Sequence, residues 1–396
     1  MKTKALALLI VLLQFSLALS QTSATEELDQ IKAQLNAMQS GTSRFLLRGY
    51  AHSGLEKYTD KSSFVGGSFN PIFLWQQSDR LLFESELELE LENGETVVNM
   101  EYADMSYLLT KRLTIRVGKF LVPFGIFNER IHPRWINRLP SNPLGFSHHD
   151  RVGPSSDLGV ELRGGAPLGA AKINYSVYVV NGPTLNDGSA DPDEAGILHY
   201  NNFEDNNNNK SVGGRFGFLP FYDSSLEVGF SALVAKVGDT GSKYEKVGAR
   251  LYAVDFSFIK NLLALKSIID IKAQWNRARV DKAEYISPDN PQATYTFDNQ
   301  SDTYFAGLSL RPAYLDHFIL KNLEFAVRYS NLKTPAQAHW GTNRSQLTFG
   351  INYWLDWRTV LKVGYQINTN NSESAKDEDH EAGSGNALLV HWSFGF

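Results

Sequence analysis

From Asn386 to Phe396 the chain alternates. Leu388, Val390, Trp392, Phe394 and Phe396 share one parity, while Ala387, Leu389, His391, Ser393 and Gly395 share the other. Period-two alternation marks a β-strand whose two faces meet different surroundings. One face is large and apolar, with aromatics toward its end; the other is mostly small or polar. Leu82 to Glu92 repeats the theme more strongly. Phe83, Leu87, Leu89 and Leu91 lie with Ser85 on one face, and Glu84, Glu86, Glu88, Glu90 and Glu92 form the other. A file of glutamates cannot enter an apolar core, because each unpaired buried charge costs several kcal/mol. That face needs water or cations, and the opposite face needs shelter from water.

The alternation recurs. Leu113, Ile115 and Val117 oppose Thr114 and Arg116; Leu158, Val160 and Leu162 oppose Glu161 and Arg163. Val212, Gly214, Phe216 and Phe218 oppose Arg215, and Leu226, Val228 and Phe230 oppose Glu227. Leu263, Leu265, Ile269, Ile271 and Trp275 oppose Lys266, Asp270 and Lys272. Tyr304, Ala306, Leu308 and Leu310 oppose Arg311, and Leu323, Phe325, Val327 and Tyr329 oppose Glu324 and Arg328. Sixteen strand candidates follow Ser43, with eighteen as the alternative count. Each spans about ten residues, the length that crosses a bilayer when tilted.

The links alternate too. Short ones fall at Gln76 to Asp79, Thr110 to Lys111, Gly164 to Gly169, Pro220 to Ser225, Lys260 to Asn261, Pro312 to Phe318 and Asp356 to Arg358. Long ones fall at Ser53 to Gly67, Leu121 to Ser156, Asn181 to Lys210, Lys236 to Glu245, Ala278 to Gln300, Asn331 to Asn343 and Asn368 to Gly385, with Asn93-Gly94 as one tight outer hairpin. Short turns on one side and long loops on the other are expected of an all-β, transmembrane antiparallel β-barrel with lipid outside and water inside.

Composition agrees. Mean hydropathy is only −0.27, but alternate residues alone meet lipid in a barrel, so its hydropathy is diluted. The absence of cysteine excludes disulfides, thiolate metal sites and cysteine nucleophiles. At the N-terminus, Lys2 and Lys4 precede an apolar run, and Ala18 and Ser20 form a small-x-small site. Residues 1–20 read as a secretory signal. Its removal would take the net charge from −5 to −7, and no basic run or zinc spacing points to nucleic acid. Residues 21–42 read as a short helix, with Leu28, Ile31, Leu35 and Met38 on a narrow seam. The seam suits either a small coiled coil joining subunits or a tether. Residues 43–396 are then the barrel, and the terminal Phe396 suits an assembly signal for a bacterial outer membrane.

The link 121–156 far exceeds the ~15 residues beyond which loops are usually functional. Phe124, Phe127, Trp135 and Leu144 offer apolar anchors. Pro123, Pro133, Pro140 and Pro143 stiffen the loop, and Arg130, His132, Arg134, Arg138, His148, His149 and Arg151 make it basic. Folded inward as a third outer loop, it would set Arg130, Arg134 and Arg138 across water from Glu84, Glu86 and Glu88. Those residues are the expected constriction. The same arginines would serve equally to pin the loop to the wall by salt bridges. Arg116, Arg163, Arg215, Lys266, Lys272, Arg311 and Arg328 are the expected lumen-lining cations. His148-His149-Asp150 invites a metal reading, but neighbouring strand side chains point apart and no second ligand cluster accompanies them. No metalloprotease, nucleophile-elbow or phosphate-loop motif occurs.

Gly118-Lys119-Phe120-Leu121-Val122-Pro123-Phe124-Gly125-Ile126-Phe127-Asn128-Glu129-Arg130, followed by His132-Pro133 and Trp135, resembles the phosphate-selective porin O and P family. Phe69-Asn70-Pro71-Ile72-Phe73 and the N-terminal heptad are similar to it as well. The resemblance implies a sixteen-stranded trimeric barrel. Phosphate selectivity in that family needs an arginine ladder and a lysine cluster. Here Arg116, Arg163, Arg215, Arg311 and Arg328 offer rungs, interspersed with Glu161, Glu227, Asp255, Asp270 and Glu324.

The expected function is passive diffusion of small hydrophilic solutes, with weak anion preference extending to phosphate or small organic anions. No catalysis, cofactor or metal is expected. Expected partners are outer-membrane lipid, lipopolysaccharide and two further copies of the chain in a homotrimer, and not nucleic acid. The rival expectations are a plugged structural or adhesive barrel and an outer-membrane barrel enzyme.

Overall fold

A computed structural model describes residues 44–59, 61–92, 94–147, 150–200, 204–370 and 385–396. The expected signal (1–20), the helix (21–42), His148, His149 and residues 371–384 of the last long link lie outside the described residues.

The strands are β1 Arg44–Lys57, β2 Ser62–Gln76, β3 Leu81–Glu92, β4 Glu95–Thr110, β5 Leu113–Leu121, β6 Ser156–Leu168 and β7 Ala171–Val180. Then come β8 Thr184–Leu185, β9 Leu198–His199, β10 Ser211–Leu219, β11 Leu226–Lys236, β12 Gly248–Leu262 and β13 Ser267–Val280. The last are β14 Tyr285–Ser287, β15 Asn290–Tyr295, β16 Gln300–Arg311, β17 Leu323–Lys333, β18 Asn343–Asp356, β19 Thr359–Asn370 and β20 Ala387–Gly395. Sixteen of them close a barrel in chain order, while β8–β9 and β14–β15 are small ladders within outer loops. The eighteen-strand alternative is set aside. Every barrel neighbour is antiparallel, and β20 pairs with β1 from Tyr50↔Gly395 to Lys57↔Leu388. Phe396 continues that seam, donating its amide to Gly49 O at 2.9 Å and accepting from Gly49 N at 3.2 Å. A Cβ at Gly49 would stand 2.4 Å from Asn70 O and 2.6 Å from the Phe396 ring, so only glycine fits there.

The two faces are inverted relative to a water-soluble sandwich. On β19, Val360, Lys362 and Gln366 are buried, while Leu361, Val363 and Tyr365 are exposed. On β17, Glu324 and Arg328 are buried, and Phe325 and Tyr329 are exposed. Withdrawing such a side chain from water is worth about 1.5–3 kcal/mol. A belt of them around the barrel therefore calls for an apolar surround. No helix among the described residues is long and apolar enough to cross a membrane; a crossing by the described residues is made by strands.

Two expectations need correction. Ser53 to Gly67 is not a long loop. β1 and β2 continue to a tight turn closed by Tyr58 N donating to Lys61 O at 2.8 Å. The Gly66-Gly67 pair is instead a bulge, where the register slips at His52/Ser53 and Gly67 takes φ 102°. An extra residue of this kind bends the strand without ending it. Lys266 is not on a lumen face either. It is an exposed turn residue at φ 48°, after the 3-10 turn Leu263–Leu265 between β12 and β13.

Candidate functional site

Residues 122–147 and 150–155 fold into the barrel and lie against one half of its wall. The loop begins with a π-helical turn at Phe127–Ile131. Gly125, at φ 68°, lets the backbone approach β13 and β11. Its amide donates to Ser231 Oγ at 3.0 Å, and the amides of Ile126 and Phe127 both donate to Gln274 Oε1, at 2.8 and 2.9 Å. Asn276 Nδ2 donates to Val152 O at 2.7 Å, and Thr303 Oγ1 to Leu144 O at 2.6 Å. Farther round, Arg328 donates to the carbonyls of Ser141 and Asn142, each at 2.9 Å. Asn352 donates to Arg138 O at 2.8 Å, and Lys362 Nζ to the carbonyls of Arg134 and Asn137. Irregular backbone buried away from water must be satisfied group by group, and β11 to β19 supply the partners. Ile126, Phe127, Ile131, Phe146 and Phe305 make an apolar cluster beneath the loop. Asp150 caps the tip by accepting from Gly145 N at 3.1 Å and Ser147 N at 3.3 Å. Burial raises its pKa, against the lowering pull of those amides and of Arg344.

The open side of the lumen therefore faces β1 to β6. Three cavities follow one another there. The outer one, about 290 Å³, is lined by His52, Glu56, Ser68, Glu90, Arg134 and His391, among others. The middle one, about 60 Å³, brings Glu88, Glu90 and Glu101 of β3 and β4 opposite His132, Arg134 and Arg151 of the loop. The inner one, about 260 Å³, is lined by Glu84, Tyr102, Arg116, Leu121, Glu129, Arg130 and Arg163. Acids on the wall thus share the middle cavity with bases on the loop.

The predicted constriction residues separate into groups. Arg134 lines the outer and middle cavities with Glu90, and the middle one with Glu88. It is held by Pro140 O and Asn142 Oδ1, each at 3.2 Å. Glu84 and Arg130 share the inner cavity, but Arg130 also pairs with Glu227 Oε2 at 2.7 Å. Arg138 is not brought to the glutamate wall. It reaches Glu324 at 3.3 Å and Asp270 at 3.5 Å, and covers the Trp354 ring at 5.3 Å. Glu86 is buried and accepts from Tyr50 OH at 2.7 Å.

The lumen set is mostly committed to ion pairs. Arg116 meets Glu161 at 2.6 Å and Glu129 at 3.5 Å, and Arg163 meets Glu129 at 3.0 Å. Arg215 joins Asp255 at 2.6 Å and Glu227 at 2.9 Å, and Lys272 joins Asp270 at 2.5 Å. Arg311 donates to Lys321 O at 3.0 Å near the short-turn end. Sequence reasoning missed Glu101, His52 and His391. Glu101 sits at the slip between β3 and β4 at Glu86/Leu87, where simple alternation fails. His391 was visible on the small, polar face of the last strand, and it meets Glu56 at 3.1 Å. Among the described residues, no group of three His, Asp or Glu side chains is placed to hold a metal ion.

No protein-family model matches the sequence, and no curated protein matches it. Solved structures do resemble the fold. OmpF of Salmonella typhi, in complex with daunomycin, is 13% identical at TM-score 0.57, covering 90% of this chain and 98% of that one. The outer membrane channel DcaP of Acinetobacter baumannii is 10% identical at TM-score 0.54, covering 89% and 97%. An anion-selective porin from Comamonas acidovorans is 13% identical at TM-score 0.53, covering 89% and 100%. At such identities the likeness is one of fold: a porin-type barrel. The finer likeness to the phosphate-selective porin O and P family rests on the sequence motif alone.

Proposed function

We propose that this chain is a diffusion channel of a bacterial outer membrane, passing small hydrophilic solutes through a lumen narrowed by the loop 122–155. One observation carries the reading: Arg134 and Arg151 of that loop face Glu88, Glu90 and Glu101 across the smallest of three successive cavities. Fixed charges of opposite sign across a narrow space make a transverse field, which orients dipolar solutes and sorts ions by sign. Nothing in this machinery requires a bond to be made or broken.

Weak anion preference is part of the proposal. The inner cavity holds Arg116, Arg130 and Arg163 against Glu84 and Glu129, and Arg134 borders two cavities in succession. The anion selectivity of the Comamonas relative points the same way. Strict phosphate selectivity is disfavoured, because Arg116, Arg163 and Arg215 already hold carboxylates within 3.0 Å. The membrane location rests on the inverted faces, and assembly as a homotrimer follows the family resemblance.

Planar-bilayer recording of the purified chain in a salt gradient tests the reading. Stepwise conductance with a reversal potential on the anion side is expected. Silence would favour a plugged barrel, and a cation-side potential would overturn the sign.

A further inference from the structure

The outward face carries a basic strip that the lumen does not explain. At the long-loop end of β12 and β13, Arg250 and Arg279 point outward directly opposite one another in register. One row below, Arg277 stands opposite Tyr252, and Asp302 separates it from Lys333 on β17. Like charges set directly across a ladder repel. The carboxylates present answer only part of this cluster: Asp281 meets Arg250 at 3.5 Å and Asp302 meets Arg277 at 2.7 Å. Elsewhere at this end the outward positions include apolar ones, as at Val179, Val212 and Leu388, and the other outward cations, Lys57 on β1 and Lys236 on β11, have no second cation directly opposite them in register.

What lies beneath the strip decides what it meets. The next outward row holds Val254, Trp275 and Tyr304, in register across β12, β13 and β16. Below it come Phe256, Ala306 and Leu308. Aromatics such as Trp275 and Tyr304 set between cations and an apolar stripe match the layering of a membrane interface. Arginines there present forked donors that match phosphate oxygens. Neighbouring strands lie about 4.8 Å apart, so cations spread from β12 to β17 cover more than one phosphate group.

We propose that this strip binds the phosphate groups of a membrane lipid whose acyl chains run down the apolar stripe below. The assignment rests on the reading of the barrel as a membrane channel. A free phosphate ion would use the arginines but not the stripe, whereas a phosphorylated lipid uses both.

The test compares the detergent-purified full chain with R250Q/R279Q by native mass spectrometry, using bisphosphorylated lipid A, its dephosphorylated form and inorganic phosphate as probes. The wild-type chain should retain bisphosphorylated lipid A about tenfold better than the dephosphorylated form. R250Q/R279Q should bring the two within about twofold, and R250K/R279K should restore most of the preference by returning the charge. Millimolar inorganic phosphate should not displace the lipid. Equal retention of the two lipids, a preference that survives R250Q/R279Q, or displacement by inorganic phosphate overturns the assignment. So does a change in subunit number in R250Q/R279Q with lipid retention intact, which would make the strip a contact between copies. Conductance of R250Q/R279Q should match the wild-type chain. Lipid preference without current would sink the channel and leave the strip, and current without lipid preference would do the reverse.

Discussion

Arg134 and Arg138 lie one short step apart on the same loop, yet they meet different surroundings. Arg134 borders cavities lined by Glu88 and Glu90, whereas Arg138 is spent on Asp270, Glu324 and the Trp354 ring. Their substitutions should therefore separate. Arg134→Gln is expected to move the reversal potential toward cations, with stability changed by no more than about 0.5 kcal/mol. Arg138→Gln should leave selectivity nearly unchanged. It strips buried Glu324 of its cation, while Asp270 keeps Lys272, and unfolding in lipid should register a loss of about 1–3 kcal/mol. Reversal potentials and unfolding curves on the two variants check both halves. The arginines themselves were legible in the sequence, and their partners were not. Arg130 and Glu227 are 97 positions apart, and no local pattern shows which wall a long loop will lie against.

The inward loop depends on a few wall side chains that accept or donate for its irregular backbone. Gln274 is one of these, and its single oxygen serves the amides of both Ile126 and Phe127. Gln274→Ala should orphan both donors, at about 1–3 kcal/mol each. The expected result is a loop that leaves the wall, seen as larger or noisier open-channel current and faster proteolysis within 122–155. Unchanged current with unchanged protease resistance would show that the apolar cluster around Phe127 and Phe146 suffices. Strand number and facing were readable from alternation because lipid and water impose it on nearly every strand. Alternation misleads where an extra residue intrudes. Gly66-Gly67 read as a loop end and proved to be a bulge, and Glu101 was hidden at the slip beside Glu86. At Lys266, one turn residue at positive φ was mistaken for a strand position. The inward course of 121–156 was suggested by length and by the family likeness, but its contacts with β11 to β19 depend on three-dimensional closure.

The barrel is completed at a single seam, and Gly49 is one of its closest approaches. Gly49→Val would drive a side chain into Asn70 O and the Phe396 ring, both under 3 Å from a Cβ there. The expected outcome is loss of the compact, heat-modifiable band on unheated gels, with β-content retained in circular dichroism. A fully heat-modifiable variant would show that the seam tolerates side chains. The seam has a further consequence for how the molecule comes into being. His391 and Glu56 touch across it, although 335 positions separate them. Until β20 arrives, β1 carries an open row of amide and carbonyl groups, a template on which any stray strand can nucleate. Such a ring is assembled open and sealed in one late event, so newly made chains must be chaperoned with that edge covered, and the rate of sealing sets how long they are at risk of clumping.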